Sequence, residues 1–300
     1  MNIAILSKGI KNYSTMRLVE EAKARGHNVR VINYAKCYVT LEQNNPIVNY
    51  RGEIVTGIDA IIPRISSKLT NYGSSIVRQF EMQNVFTTTS SISIVRSRDK
   101  LRSMQLLSKS GVGIPKTVFA RETADYEGVL EQVGGAPVII KIARGTHGTG
   151  VVLAETRKAA LAVMQAFNVE GVNFLAQEYI AESNGEDIRA FVVNGKVIAS
   201  MLRTSKDEDF RSNLHQGGEG IPVKLSDIER KTAQKAAKSM GLTVAGVDML
   251  RSERGPLVLE VNSSPGFGIE KITGRNVAAS IIEYTEQTAK TGRRKDKVGA

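Results

Sequence analysis

The sequence contains no tryptophan, one cysteine and three histidines, and aromatic residues make up only 5% of it. Each scarcity removes a class of protein. A single cysteine, Cys37, excludes an internal disulfide framework; followed by Tyr and Val in a β-prone run, it reads as a small packed hydrophobe rather than a nucleophile. Few aromatics leave little with which to build a stacking platform for single-stranded nucleic acid. No apolar run approaches the roughly 20 residues that span a bilayer. The opening run from Met1 to Ser7 has too short an apolar segment and no basic start, so a first strand is expected there rather than a signal peptide. The expected compartment is the cytoplasm, with no membrane partner.

What is present in quantity is positive charge. Lys and Arg number 41 against 30 Asp and Glu, a formal net charge of +11. Such a field favours polyanions: nucleotides, acidic peptides or nucleic acid. With so few aromatics, an acidic peptide or a ribosome-associated partner fits as well as DNA does, and direct nucleic-acid binding is not expected. A length of 300 residues suggests two or three compact units.

The first unit, residues 1–96, reads as an open α/β domain. Strands are expected at Ile3 to Leu6, Val29 to Ile32 and Ile58 to Arg64. A helix N-capped by Ser14 ends at Gly26, and another runs from about Ser74 to Gln83. No G-x-G-x-x-G turn follows the first strand, which argues against dinucleotide binding. From Ser97 a basic helical stretch carries Leu101, Met104 and Leu106 or Leu107 as an apolar stripe. Lys100 in its first turn opposes the helix dipole. Many surfaces tolerate that mismatch, and it also suits a lysine that meets a phosphate.

Two further stretches point to phosphate. Pro137 to Ala143 is an apolar strand broken by Lys141, and it runs into a loop with Gly145, Gly148 and Gly150 before a strand from Val151 to Ala154. Glycines at such spacing can turn successive N–H groups towards one anion. The strand-loop-strand setting is that of a flap over phosphates, not of a Walker A loop. His147, in this loop, has no second ligand nearby and reads as a phosphate-side or solvent contact. Gln177 and Glu178, on a strand from Phe174 to Ile180, are placed to hydrogen-bond an adenine edge and ribose; an exposed edge strand is the alternative. An Asn194-Gly195 hairpin then delivers Arg203, Lys206, Arg211, Ser212 and Asn213.

The stretch from Ala245 to Gly266 reads as two strands around a turn. If Val247, Met249, Leu257, Leu259 and Val261 face a core, parity gathers Asp248, Glu260 and Asn262 on the opposite face. Two carboxylates and an amide suit a hard cation such as Mg²⁺, and equally suit a solvated polar face. Residues 266–274 read as a loop and Val277 to about Thr288 as a last helix.

In this order, Arg98-Asp-Lys-Leu-Arg-Ser-Met-Gln-Leu-Leu, Gly145-Thr-His-Gly-Thr-Gly-Val, Gln177-Glu-Tyr-Ile, Asp209-Phe-Arg-Ser-Asn, Ala245-Gly-Val-Asp and Glu260-Val-Asn resemble RimK, within the ATP-grasp superfamily of carboxylate-amine ligases. The resemblance implies an ATP-grasp fold, α/β to α+β, behind a pre-ATP-grasp domain at 1–96. A central subdomain would occupy 97–180, a C-terminal subdomain 181–290 and a basic tail 291–300. Lys100, Lys141, the glycine-rich loop, Glu178 and Tyr179 would hold ATP, with Asp187 near the ribose. Arg211, Ser212 and Asn213 would sit at the phosphates, and Asp248, Glu260 and Asn262 would bind two Mg²⁺ ions, for which Mn²⁺ can substitute. Arg203 and Arg211 would face the developing acyl phosphate. The implied reaction adds L-glutamate to the acidic C-terminal tail of a small-subunit ribosomal protein, in a homo-oligomer expected to be a tetramer. A sibling ligase acting on a small-molecule cofactor or free glutamate, and a non-catalytic nucleotide- or RNA-binding protein, are the alternatives. The loop from Ser263 to Glu270 is one residue shorter than the family pattern, near where the acceptor should enter.

Overall fold

The computed structural model describes residues 1–121, 123–142, 150–204 and 219–290. Strands β1 (Asn2–Ser7), β2 (Asn28–Ile32), β6 (Ala60–Arg64) and β7 (Phe86–Thr87) form a parallel sheet in the order β2-β1-β6-β7. A parallel sheet is covered on both faces, and the run Ile3 to Leu6 is accordingly buried at every position. Ile3, Ile5, Ala60 and Ile62 pack towards α1 (Tyr13–Ala24). Ala4, Leu6 and Ile61 pack the other way, towards Ile76, Val77 and Phe80 of α2 (Thr70–Met82). Between β2 and β6 the chain makes a small antiparallel sheet of β3 (Cys37–Glu42), β4 (Asn45–Tyr50) and β5 (Glu53–Ile54). Burial pushes the Cys37 thiol up to about 11, which suits a packed, unreactive side chain. Ser14 is not the helix cap: α1 starts one residue before it, and its hydroxyl instead accepts the Phe267 N–H at 3.1 Å.

The basic helical stretch is two helices, α3 (Ser91–Arg98) and α4 (Lys100–Lys109), because Asp99 is extended at ψ 107° and turns its carboxylate onto the Arg102 N–H at 3.0 Å. A local N-cap thus interrupts the helix and sets Lys100 at the first position of the second one. Strand β8 (Thr117–Ala120), α5 (Tyr126–Gln132), β9 (Val138–Ile142), β10 (Val151–Ala154), α6 (Arg157–Val169) and β11 (Phe174–Glu178) follow. The four strands make an antiparallel sheet ordered β10-β9-β11-β8, so β11 is an inner strand and not an edge. Val138, Ile140, Phe174 and Ala176 pack one face against α5 and α6. Alternation leaves Lys141 and Gln177 on the other.

The third of the large sheets, in the order β14-β13-β12-β15-β16, is antiparallel throughout. It contains β12 (Glu186–Val193), β13 (Lys196–Thr204), β14 (Glu219–Pro222), β15 (Val244–Leu250) and β16 (Leu257–Asn262). Asn194 and Gly195 both take positive φ at the β12–β13 turn, as the hairpin signal requires. One face is apolar along its length: Ile188, Ala190, Val192, Val247 and Val261 pack on α7 (Asp227–Ser239), whose start is closed by a Ser226–Glu229 capping box. The other face is divided. Phe191, Val193, Ala199, Met201 and Val244 join the core shared with α1, β1 and β6. Residues 266–274, expected as a loop, contain α8 (Gly268–Thr273), and α9 (Val277–Ala289) completes this core.

The strict alternation expected for β15 and β16 breaks at one point. A bulge opposite Asp248 and Met249 shifts the register, so that Asp248 pairs with Glu260 but Met249 pairs with Val258. Val258 is fully buried in place of the expected Leu259, which is only half-buried.

Helix α9 is also tied to the end of α1 through charge. Glu286 accepts from Arg25 Nε at 3.0 Å and lies 2.6 Å from His27 Nε2, and these partners, Arg25 foremost, hold its carboxyl down at about 2. A depressed carboxylate stabilises the fold above its unfolded value and loses that contribution as pH falls towards 2. Because Arg25 is more than a third exposed, solvent screening limits the effect. Glu286→Gln is expected to cost about 1 kcal/mol at pH 7. The gap from the unsubstituted protein should close as the pH is taken from 5 to 2 in urea unfolding, and a gap that does not depend on pH would refute the linkage.

Candidate active site

The polar half of the third sheet is a belt of charge that follows from its register. Asp187 on β12 lies opposite Arg203 on β13, Arg189 opposite Asp248 on β15, and Asp248 opposite Glu260 on β16. Residues 187 and 189 share a face by alternation, so the five charged groups form one row across four strands. Arg203 donates Nε to Asp187 at 2.7 Å and closes a second bond to the same carboxylate; its guanidinium also lies 3.1 Å from Asp248. Arg189 grips Asp248 with both Nε, at 2.7 Å, and a terminal nitrogen. Arg203, Asp187 and Asp248 are buried, while Arg189 keeps 16% of its side chain accessible.

The two adjacent carboxylates are driven apart in acidity. Burial works to raise Asp248, but Arg189 and Arg203 overcome it and hold the carboxyl down at about 2. Glu260 faces a cleft that solvent reaches. Protein atoms surround it on several sides, and that desolvation, with the Asp248 charge beside it, pushes its carboxyl upwards. Asn262 donates its amide to Glu260 at 3.0 Å and lies 3.5 Å from Asp248. Among the described residues Glu260 meets no cation within 4 Å, and no three His, Cys, Asp or Glu side chains cluster as a metal site. The donor set is therefore two carboxylates and one amide. It fits a hard divalent cation: Glu260 has no cation in direct contact among the described residues, and rotation of the Asn262 amide would present its oxygen.

Across the cleft stand two lysines. Lys141, on β9, donates to Gln177 Oε1 at 2.6 Å; Lys100 donates to the Ile142 carbonyl at 3.1 Å. Burial lowers both, Lys141 to about 8, with the neighbouring Lys100 charge adding to the fall, and the pull of Glu260 opposes it in each case. That shared attraction shows the second and third sheets facing each other across the site. Glu178 bridges the two: its backbone N–H donates to the Lys116 carbonyl, and its carboxylate accepts from the Lys116 N–H at 3.1 Å and from Arg254, in the turn between β15 and β16, at 2.6 Å.

The structure therefore brings together Lys100, Lys141, Asp187, Arg203, Asp248, Glu260 and Asn262. It puts Glu178 and the half-buried Tyr179 at the rim. Gly150, at φ 74°, ends the glycine-rich loop, and a Cβ there would come within 2.7 Å of Ile142. Gly145, His147, Gly148, Lys206, Arg211, Ser212 and Asn213 lie outside the described residues. Two of the placements differ in kind from the expected roles. Asp187 is bound to Arg203, and Arg203 turns its Nε and one terminal nitrogen to two carboxylates, Asp187 and Asp248. Arg189 was not singled out from the sequence, although the alternation of Asp187 and Arg189 along one hairpin strand carries the signal.

Comparison with known proteins bears on this arrangement directly. A family model described as the RimK-like ATP-grasp domain matches residues 97–285, and one described as the RimK PreATP-grasp domain matches residues 1–94. The chain belongs to the RimK-like ATP-grasp family. It is a ligase of the kind that forms carbon–nitrogen bonds. A protein named probable alpha-L-glutamate ligase from Hydrogenovibrio crunogenus is 55% identical over 291 residues, 97% of each chain. One of the same name from Aliivibrio fischeri is 55% identical over 298 residues, 99% of each. Among solved structures, the ATP-grasp ligase PsnB, in a complex with a phosphomimetic variant of its minimal precursor, Mg and ADP, superposes with a TM-score of 0.71. It is 20% identical and covers 95% of this chain and 98% of that one, a likeness of fold. No helix among the described residues is long and apolar enough to cross a membrane.

The belt makes a prediction that separates its two carboxylates. Asp248→Ala leaves Arg189 and Arg203 facing each other without their shared counter-charge and is expected to cost about 3–5 kcal/mol. Glu260→Gln removes a carboxylate that repels its neighbour and is expected to change stability by less than about 0.5 kcal/mol. Urea unfolding checks both, and similar losses from the two substitutions would refute the asymmetry.

Proposed function

We propose that the protein joins L-glutamate, in an ATP- and Mg²⁺-dependent reaction, to the acidic C-terminal tail of a small-subunit ribosomal protein. The observation that carries this reading is the juxtaposition of Lys100 and Lys141 with the Asp248–Glu260–Asn262 set across one cleft, in a chain 55% identical to proteins named as glutamate ligases. Cations on one wall and oxygen donors on the other suit a triphosphate and its metal ion.

A carboxylate is a poor electrophile, and ATP supplies the activation by turning it into an acyl phosphate; the amine nitrogen then displaces phosphate and an amide forms. Lys141 and Lys100 hold phosphate oxygens, with Lys141 aimed by Gln177 and Lys100 by the Ile142 carbonyl. Asp248, Glu260 and Asn262 would hold Mg²⁺, or Mn²⁺ in its place, and the bound ion would supply positive charge to the transferring phosphoryl group. Arg189 and Arg203 position Asp248 and keep it ionised. No side-chain nucleophile is required, since orientation and electrostatics carry the rate. The excess of positive charge suits substrates that are all anions.

Two measurements test this. Intact-mass spectrometry of small-subunit ribosomal proteins incubated with the enzyme, ATP, Mg²⁺ and L-glutamate should show glutamate-sized increments on one of them. Polyglutamate formed without an acceptor would reassign the acceptor to free glutamate, and no product with no ADP would overturn the ligase reading. Second, because Lys141 loses its proton near 8, ATP affinity should fall as pH rises from 7 to 9. Lys141→Arg, charged throughout, should flatten that profile; an ATP affinity in the unsubstituted protein that is constant to pH 9 would count against Lys141 as a phosphate ligand.

A further inference from the structure

Two arginines beside the belt have no part in the proposed chemistry. Arg64 closes β6, where a terminal nitrogen donates to the Pro265 carbonyl at 2.6 Å and its guanidinium lies 4.9 Å from the centre of the Phe267 ring. Arg98 ends α3, donating to the Ile65 carbonyl at 2.9 Å and, at 3.4 Å, to Ser263 Oγ. Both are half-buried, and both converge on the loop that follows Asn262. A guanidinium carries five N–H donors; towards the described residues Arg64 uses one and Arg98 two, all on neutral acceptors. Among the described residues neither meets a carboxylate within 4 Å.

This is a costly way to build a loop latch. Burial lowers both guanidinium groups, Arg64 to about 10, and the Arg98 charge adds to the fall at Arg64. A latch would need one neutral donor, whereas two neighbouring cations with spare N–H groups lack an anion. The next residue of the loop, Ser264, has a buried hydroxyl with no hydrogen-bond partner. Arg98 lies within electrostatic reach of Glu260, so an anion bound here would be adjacent to the reacting centre.

We infer that Arg64, Arg98 and Ser264 form a carboxylate pocket on the loop from Ser263 to Phe267, and that it receives a carboxylate of a glutamyl substrate. The inference rests on the glutamate-ligase reading and adds to it a subsite to which the N-terminal sheet contributes Arg64. Guanidinium pairs of this kind bind carboxylates bidentately. Free L-glutamate and the glutamyl end of an acidic peptide offer the same chemistry.

Calorimetric titration of the full-length protein, with ADP and Mg²⁺ present, distinguishes them. L-glutamate and tri-α-L-glutamate are the two probes, applied to the unsubstituted protein, Arg64→Gln and Arg98→Gln. Each substitution should weaken the pocket's ligand about tenfold and leave ADP affinity within about twofold. Loss for L-glutamate alone assigns the pocket to the free amino acid, and loss for the tripeptide alone assigns it to the acceptor. Affinities for both probes that stay unchanged in folded variants would overturn the pocket while sparing the glutamate reading. An unsubstituted protein that binds neither probe would take down both. If thermal unfolding shows that an arginine variant does not fold, Ser264→Ala carries the test, with a loss of about threefold expected and no change refuting it.

Discussion

The Asp248 carboxylate is the group on which the site depends. Buried alone it would take up a proton; held by Arg189 and Arg203 it stays ionised, and its charge adds to the upward push that desolvation gives the Glu260 carboxyl. Arg203 is shared with Asp187, so four strands are linked through one run of ion pairs. Such a run is not a strong source of stability, because desolvating each member offsets most of what pairing returns. What it supplies is position. Every member is fixed by cross-strand register, and Glu260 is left as the one carboxylate of the row that solvent reaches. A metal ion or a phosphate approaching the cleft meets a fixed arrangement of charge rather than mobile side chains, which is the condition for electrostatic preorganisation.

That arrangement exists because the same sheet face is divided. Nearer the hairpin turn it carries Phe191, Val193 and Met201, which share a core with β1, β6 and the helices α1, α8 and α9. Beyond Phe191 the face turns polar at Arg189 and Asp187. The hydrophobic half anchors the N-terminal sheet against the third sheet, and the C-terminal end of β6 is thereby carried up to the rim of the polar half. There Arg64 meets Pro265 and Phe267. Ligands of open α/β sheets bind outside the carboxyl ends of their strands, and here that edge abuts a second site on another sheet.

Sequence pattern alone located much of this. Period-2 alternation put Asp248, Glu260 and Asn262 on one face, and the Asn194-Gly195 signal marked the β12–β13 hairpin; a bulge between Phe191 and Val192, which the sequence did not show, shifts that hairpin by one residue and so sets Asp187 opposite Arg203. The register bulge at Asp248–Met249 was not legible, since Val258 and Leu259 are equally apolar and only the three-dimensional fit chooses which is buried. Nor was the break at Asp99, where a side-chain cap overrides a continuous helical pattern. The family resemblance covered the fold as a whole, and the matches at 1–94 and 97–285 bear it out. What no linear pattern could supply was the pairing of Arg189 with Asp248 and the convergence of Arg64 and Arg98, which join residues 59 to 201 positions apart.

Those long-range pairings also determine the sign of the site. Lys100, Lys141, Arg98, Arg189 and Arg203 set five cations around Asp187, Asp248 and Glu260, three carboxylates. Asp187 and Asp248 are paired with the two arginines of the belt, and Lys100, Lys141 and Arg98 lie within electrostatic reach of Glu260 and of whatever enters the cleft. A divalent ion alone would find this environment repulsive on most sides. It becomes favourable when the ion arrives with phosphate charge, and binding of nucleotide and metal is then coupled through electrostatics.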